Sequence, residues 1–210
     1  VAITEGVREA LLEHPESFAA GEDVGQAGGA YGYYNGLQKE FGEDRVYDTP
    51  ISEAGIVGLG VGAAATGCRP IIDLMFMDFL GECMDEVANQ LAKMRYMFGG
   101  HATLPVTMLT MAGAGASLAA QHSQSLEAWL CHLPGLKVCM PSTPYDAKGM
   151  IISAARDDNP VIVVLNKVSL AMMGDVPEGS YAIPLGEANI VRPGDNFTII
   201  AMGRMVHEAL

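Results

Sequence analysis

Four short strand-like runs, Pro70–Leu74, Val106–Thr110, Lys137–Met140 and Val161–Leu165, recur along the chain with a helix-patterned stretch between each successive pair. The runs have strand length, and the stretches between them are long enough to leave a sheet and return to it. Strands separated in this way pair in parallel, because a parallel neighbour needs a crossover where an antiparallel one needs only a hairpin. Two further strands, Ser17–Ala20 and Arg45–Asp48, precede them. The expected fold is therefore α/β: a doubly wound, mostly parallel sheet with helices on both faces.

Helix signals fill the intervals. Thr4–Glu13 reads as a helix capped by Thr4 and stopped at His14-Pro15. Ser52 caps a second helix that carries Gly55, Gly58, Gly60 and Gly62. Each interior glycine costs ~1 kcal/mol relative to alanine, so something must approach that helix closely. A long helix is expected over Asp78–Phe98, closed by Gly99-Gly100, with others over Ser123–His132 and Pro144–Arg156. The alternation lapses from Val168 to Pro184, amid Pro177, Gly179 and Pro184. Residues 1–180 are accordingly expected to form one domain. Residues 181–210 are expected as a linker and the opening of a second α/β domain, with strands at Ala188–Val191 and Phe197–Met202 and a helix from Arg204.

A net charge of −13 argues against nucleic acid or an anionic membrane as a partner. Cys68, Cys83, Cys131 and Cys139 form no CxxC pair, which suits reduced thiols in the cytoplasm, or in the mitochondrial matrix of a eukaryote. The longest mostly apolar stretch, Ile56–Cys68, is 13 residues and too short to span a bilayer. Glycine patterns do not make a dinucleotide site. Gly58-Leu59-Gly60-Val61-Gly62-Ala63 lies inside a helix, and Gly113-Ala114-Gly115 lacks an acidic residue at the end of the next strand.

More informative is Asp48-Thr49-Pro50-Ile51-Ser52-Glu53-Ala54-Gly55, which sets a carboxylate in the first turn of a helix directly after a strand. The helix dipole alone favours an acid there. Together with Gly99-Gly100, Gln121-His122-Ser123-Gln124 and Pro134-Gly135-Leu136-Lys137-Val138, however, the segment resembles the β subunits of thiamine-diphosphate-dependent dehydrogenases, with their transketolase-like pyrimidine-binding domain. These are the first components of the pyruvate, branched-chain 2-oxo acid and acetoin dehydrogenase complexes. Met94–Gly100, His122–Leu126 and Pro141–Gly149 resemble the acetoin branch most.

That resemblance implies roles for individual residues. Glu53 matches the glutamate that shares a proton with N1′ of the cofactor's aminopyrimidine ring, and Phe79 the aromatic that stacks on it. Met75 matches a residue beside the ring, and Glu22 another acidic group near it. His122 matches a histidine at the reactive end of the cofactor. Backbone carbonyls of Val106, Ala154, Ala155, Asp157 and Asn159 match a potassium site. The chain lacks the Gly-Asp-Gly and distant Asn that hold magnesium and diphosphate. Gly174-Asp175-Val176 and Gly194-Asp195-Asn196 do not supply them. The resemblance thus implies that an α subunit supplies that half of the site in an α2β2 heterotetramer. The product would be an acyl group passed to a lipoyl-bearing acyltransferase. The competing expectation is a non-catalytic assembly subunit of the same fold.

Overall fold

Val161, Val163 and Leu165 point into one apolar core and Ile162 and Val164 into another. Period-two alternation in a run that is apolar throughout means a strand buried on both faces, as a parallel sheet requires. The computed structural model describes residues 1–210. Its strands are β1 (Ser17–Gly21), β2 (Val46–Asp48), β3 (Arg69–Phe76), β4 (Thr107–Ala112), β5 (Lys137–Cys139) and β6 (Val161–Asn166). They form one sheet in the order β2-β1-β3-β4-β6-β5, and every pair is parallel.

The helices are α1 (Ala2–Glu13), α2 (Leu37–Phe41), α3 (Glu53–Ala65), α4 (Met94–Met97), α5 (Glu127–Cys131), α6 (Pro144–Arg156) and α7 (Met205–Ala209). On one face α1 and α6 bury Val7, Ala10, Leu11, Ile151, Ala154 and Ala155. On the other, α3 contributes Ile56, Val57, Val61 and Ala64. The close approach to the sheet expected of the glycine helix occurs at Gly60. A Cβ there would lie 3.1 Å from Cδ1 of Ile72 on β3. Helix α6 begins as its sequence predicts: the Thr143 hydroxyl accepts from the Asp146 N–H, and the Asp146 carboxylate accepts from the Thr143 N–H.

Four expectations are corrected. Helix α1 starts at Ala2 with Val1 before it, so Thr4 lies inside the first turn and caps nothing. The long helix over 78–98 is three pieces: a 3₁₀ segment Met77–Cys83, a π segment Glu86–Leu91, and α4. Met77, Leu80 and Cys83 are buried at spacings of three, then Val87 and Leu91 at spacings of four. Three-residue turns followed by wider ones keep that buried row facing the sheet. The helix expected from Ser123 begins only at Glu127, after a 3₁₀ turn Ala120–His122. No strand forms over 188–202, where Ile190, Phe197 and Ile200 are exposed. A strand needs a neighbouring strand to complete its hydrogen bonds, and residues 188–202 pair with none of the six strands of the sheet.

Gly21, the last residue of β1, is a point where two strands approach too closely for a side chain. A Cβ there would sit 2.7 Å from the Asp73 carbonyl oxygen of β3. Backbone cannot yield as a side-chain tip can. Gly21→Ala is therefore expected to lower stability by about 1–3 kcal/mol, measured as the shift in urea midpoint at constant slope.

Candidate active site

In a parallel sheet every strand delivers its carboxyl end to the same edge, and ligands of α/β proteins gather there, beside the point where strand order reverses. Here that point lies between β1 and β3. Glu22 follows β1, Glu53 opens the helix after β2, Met75 and Phe79 stand at the end of β3, and His122 lies in the segment after β4. All five residues expected to serve a cofactor thus share one edge.

The local causes are specific. Ser52 Oγ accepts from the Gly55 N–H at 3.3 Å, which sets Glu53 in the first turn of α3 with the helix dipole behind it. The Glu22 carboxyl is held above the ordinary carboxylate range, first by burial and then by the negative charges of Glu53 and Asp23. Two carboxyl groups therefore feel one another at this edge.

Strand β3 ends in a bulge. Its register against β4 shifts between Asp73 and Phe76, and Met75 adopts φ +28°, a strained value for a residue with a side chain. Asp73, itself buried, holds the strain in place: Oδ1 accepts from the Met75 N–H at 2.7 Å, and Oδ2 accepts from the Tyr33 hydroxyl at 2.7 Å. Sequence reading missed Asp73. Its signal is a lone carboxylate inside the apolar run Pro70–Leu74, which has to be partnered if the strand is buried.

The bulge turns Phe76 and Phe79 toward His122. The imidazole meets Phe76 edge-on at 4.7 Å between centroids and Phe79 at 5.3 Å. Tyr31 meets Phe76 at 6.2 Å. Ala30, Tyr31, Phe76, Leu118 and His122 line an open cavity of about 460 Å³. Tyr31 and Phe76 are aromatic walls to which sequence reading gave no role. A second cavity, of about 540 Å³, lies between the start of α1, the start of α6 and residues 165–176, and none of the expected site residues lines it.

The expected cation positions lie elsewhere, around the opposite edge, where α6 ends and β4 and β6 begin. The Val106 carbonyl accepts from the Val161 N–H and that of Ala154 from the Asp157 N–H. Arg69 donates to the Ala155 and Asp157 carbonyls at 2.9 and 3.3 Å, and Arg95 to the Asn159 side chain at 2.7 Å. Lys137 pairs with the Asp157 carboxylate. The five residues come together, and side-chain cations already serve three of them. No group of three His, Cys, Asp or Glu side chains in the chain could hold a metal ion, and no helix is long and apolar enough to cross a membrane.

A doubly wound sheet with carboxylates and aromatic side chains gathered at its carboxyl edge defines a ligand-binding α/β domain. Comparison narrows the class. The model of the transketolase pyrimidine-binding domain matches residues 1–173, and the chain belongs to that family. It is 50% identical over its whole length to the acetoin:2,6-dichlorophenolindophenol oxidoreductase subunit beta of Cupriavidus necator. It is 46% identical to the pyruvate dehydrogenase E1 component subunit beta of Bacillus subtilis. The chain spans 65% of the length of each of these relatives. A solved split-gene transketolase, an inactive beta4 tetramer, shares the fold with a TM-score of 0.78 over 99% of this chain and 63% of that one, at 20% identity.

The position of Asp73 predicts a pH dependence. Burial raises its pKa from 3.8 to about 6, against the pull of the Tyr33 hydroxyl and the Met75 N–H. In the unfolded chain the group ionises at the lower value, so its contribution is full below about pH 4 and is lost as pH rises through about 6. The loss is on the order of 3 kcal/mol by pH 7. Urea unfolding from pH 4 to 8 should show this decline in the wild type and a flatter profile in Asp73→Asn.

Proposed function

We propose that the chain is the β-type subunit of a thiamine-diphosphate-dependent dehydrogenase acting on acetoin or a pyruvate-like 2-oxo acid. In this reading it supplies the pyrimidine-binding half of an active site that an α subunit completes. The observation that carries the proposal is Glu53 in the first turn of α3, on the same strand-end edge as Phe79, Met75, Glu22 and His122. Family membership and the beta-subunit relatives support it.

The residues present fit the cofactor's ring. A half-buried carboxylate, a second carboxyl held above its ordinary pKa and an aromatic side chain suit a flat heterocycle with a basic nitrogen. When bound, thiamine diphosphate supplies an electron sink for the bond broken beside the carbonyl carbon. Glu53 would hold the proton at the ring's N1′, and Phe79 and Met75 would give the ring apolar walls. Glu22, with its raised pKa, keeps its own proton more readily and limits the repulsion between the two carboxyl groups. His122, wedged between two aromatic edges, would exchange a proton with the substrate oxygen as the acyl group leaves for a lipoyl arm.

Magnesium and the diphosphate belong, in this proposal, to the α subunit of an α2β2 assembly. Residues 181–210 are read as the linker and the opening of a second α/β domain, a reading supported by their exposed apolar side chains and the greater length of the relatives. A potassium ion held by carbonyls of Val106, Ala154, Ala155, Asp157 and Asn159 would use lone pairs that Arg69 and the backbone N–H groups leave free. Replacing sodium by potassium in the buffer should then raise the thermal midpoint. An unchanged midpoint removes the ion from the proposal.

The central test uses the chain assembled with its α partner, following cofactor-dependent reduction of an artificial electron acceptor. Acetoin, pyruvate and a branched 2-oxo acid are compared, and the best substrate names the complex. Glu53→Gln should lose ~10²-fold or more in kcat. Full activity in that variant would refute the role given to Glu53, and silence of a cofactor-loaded wild type on all three substrates would favour a non-catalytic assembly subunit.

A further inference from the structure

Behind the aromatic cluster lies an ion pair that the proposed chemistry does not use. Lys167 follows β6 and Asp78 follows β3, with β4 between those strands. Lys167 Nζ lies 3.9 Å from Asp78 Oδ2, and each side chain is 1% exposed. Neither of these two atoms has a hydrogen-bond partner. Burial lowers the Lys167 pKa, and the Asp78 charge offsets part of that effect. Charges withdrawn from water without a hydrogen bond between them are a cost to the fold, so a pair like this is poor evidence of stabilisation and calls for another account.

Each end of the pair leads to His122. Asp78 Oδ1 accepts from the Gln124 N–H at 2.8 Å, and the neighbouring Met77 Sδ accepts from the Leu126 N–H at 3.2 Å. The Lys167 ammonium stands 5.2 Å from the centroid of the Phe76 ring, within range of a cation–π attraction. That same ring meets the His122 imidazole at 4.7 Å. The histidine is bracketed: a cation holds the ring beside it, and a carboxylate holds the backbone just after it. The loop before it offers little independent support. Gly113, Gly115, Ser117 and Ala119 all have positive φ, and residues 114–121 are exposed.

We propose that the Lys167–Asp78 pair is a positioning device for His122, fixing Phe76 against the imidazole and residues 124–126 against the end of β3. Its effect on turnover rests on the reading of His122 as an active-site group, whereas the positioning itself does not.

The test is hydrogen exchange of the assembled protein, read by mass spectrometry on peptides covering 120–126 and, as an internal reference, β4. Lys167→Met strands the Asp78 anion, and Asp78→Asn strands the ammonium. Each should speed exchange over 120–126 by about tenfold or more while β4 stays as in the wild type. The double variant buries no charge but also lacks the cation beside Phe76, so it should stay about as loose as Lys167→Met alone, short of the sum of the two single effects. Lys167→Arg, which keeps the charge, should remain closer to the wild type than Lys167→Met. In the activity assay, kcat should fall about tenfold in the single variants and stay low in the double one, with KM changed less than about twofold.

Three results overturn the proposal: exchange over 120–126 unchanged in both single variants, a double variant that regains wild-type protection, or faster exchange that spreads equally into β4. Should Lys167→Met fail to fold, Asp78→Asn and the double variant decide by the same comparison. The predicted exchange pattern in a protein inactive on every substrate would support the positioning role and reject the functional reading of the site.

Discussion

A parallel sheet has no face that it can leave to water, and this requirement organises the molecule. β6 alternates between two apolar cores, and β3 and β4 do the same: Ile71 and Leu109 lie on one side, Ile72 and Met108 on the other. Helices must cover both faces, so α1 and α6 are committed to one and α3 to the other. What remains accessible is the rim. Polar chemistry in the middle of the sheet would demand buried partners for every group, whereas at the strand ends the chain can turn, expose backbone groups and present side chains.

Asp73 shows what happens where that boundary is crossed. It is a carboxylate within the buried part of β3, satisfied by Tyr33 and by the Met75 N–H. The same bonds hold the bulge and the strained Met75 backbone that aim Phe76 and Phe79 at His122. Strain of this kind, of order 1–3 kcal/mol, persists only where surrounding contacts over-determine the conformation. The aromatic cluster is thus shaped from beneath, by a residue buried within the sheet.

Legibility in the sequence followed the range of the interactions. Helix α6 was readable to the residue because its signals are local: a capping box, a proline at the first helical position, and an apolar stripe. The six strands of the sheet were readable because an apolar run of strand length is itself the signal, yet the same signal pointed to strands at 188–191 and 197–202 that do not form. The 77–98 region was not readable, because its pitch changes answer to packing against the sheet and to the Asp78 bond with Gln124, partners 46 residues apart. Among the site residues, Glu53 was marked by its place behind a helix cap. Phe79, Met75 and His122 stood out only through resemblance, because nothing in their spacing says that β3 and the segment after β4 meet. Tyr31, Asp73 and Lys167 went unnoticed for the same reason: their significance lies in the juxtaposition of strands distant in sequence.

The two rims of the sheet differ in what holds them. At the amino rim Arg69 alone links β3 to the end of α6 and to Asp158, so a change there is felt by several elements at once. At the carboxyl rim the loop after β4 contains two glycines and two other residues of positive φ, and it is attached at few points. A change in the loop over the cavity disturbs few contacts, whereas one at Arg69 removes the bonds that tie β3 to the end of α6 and to Asp158 together.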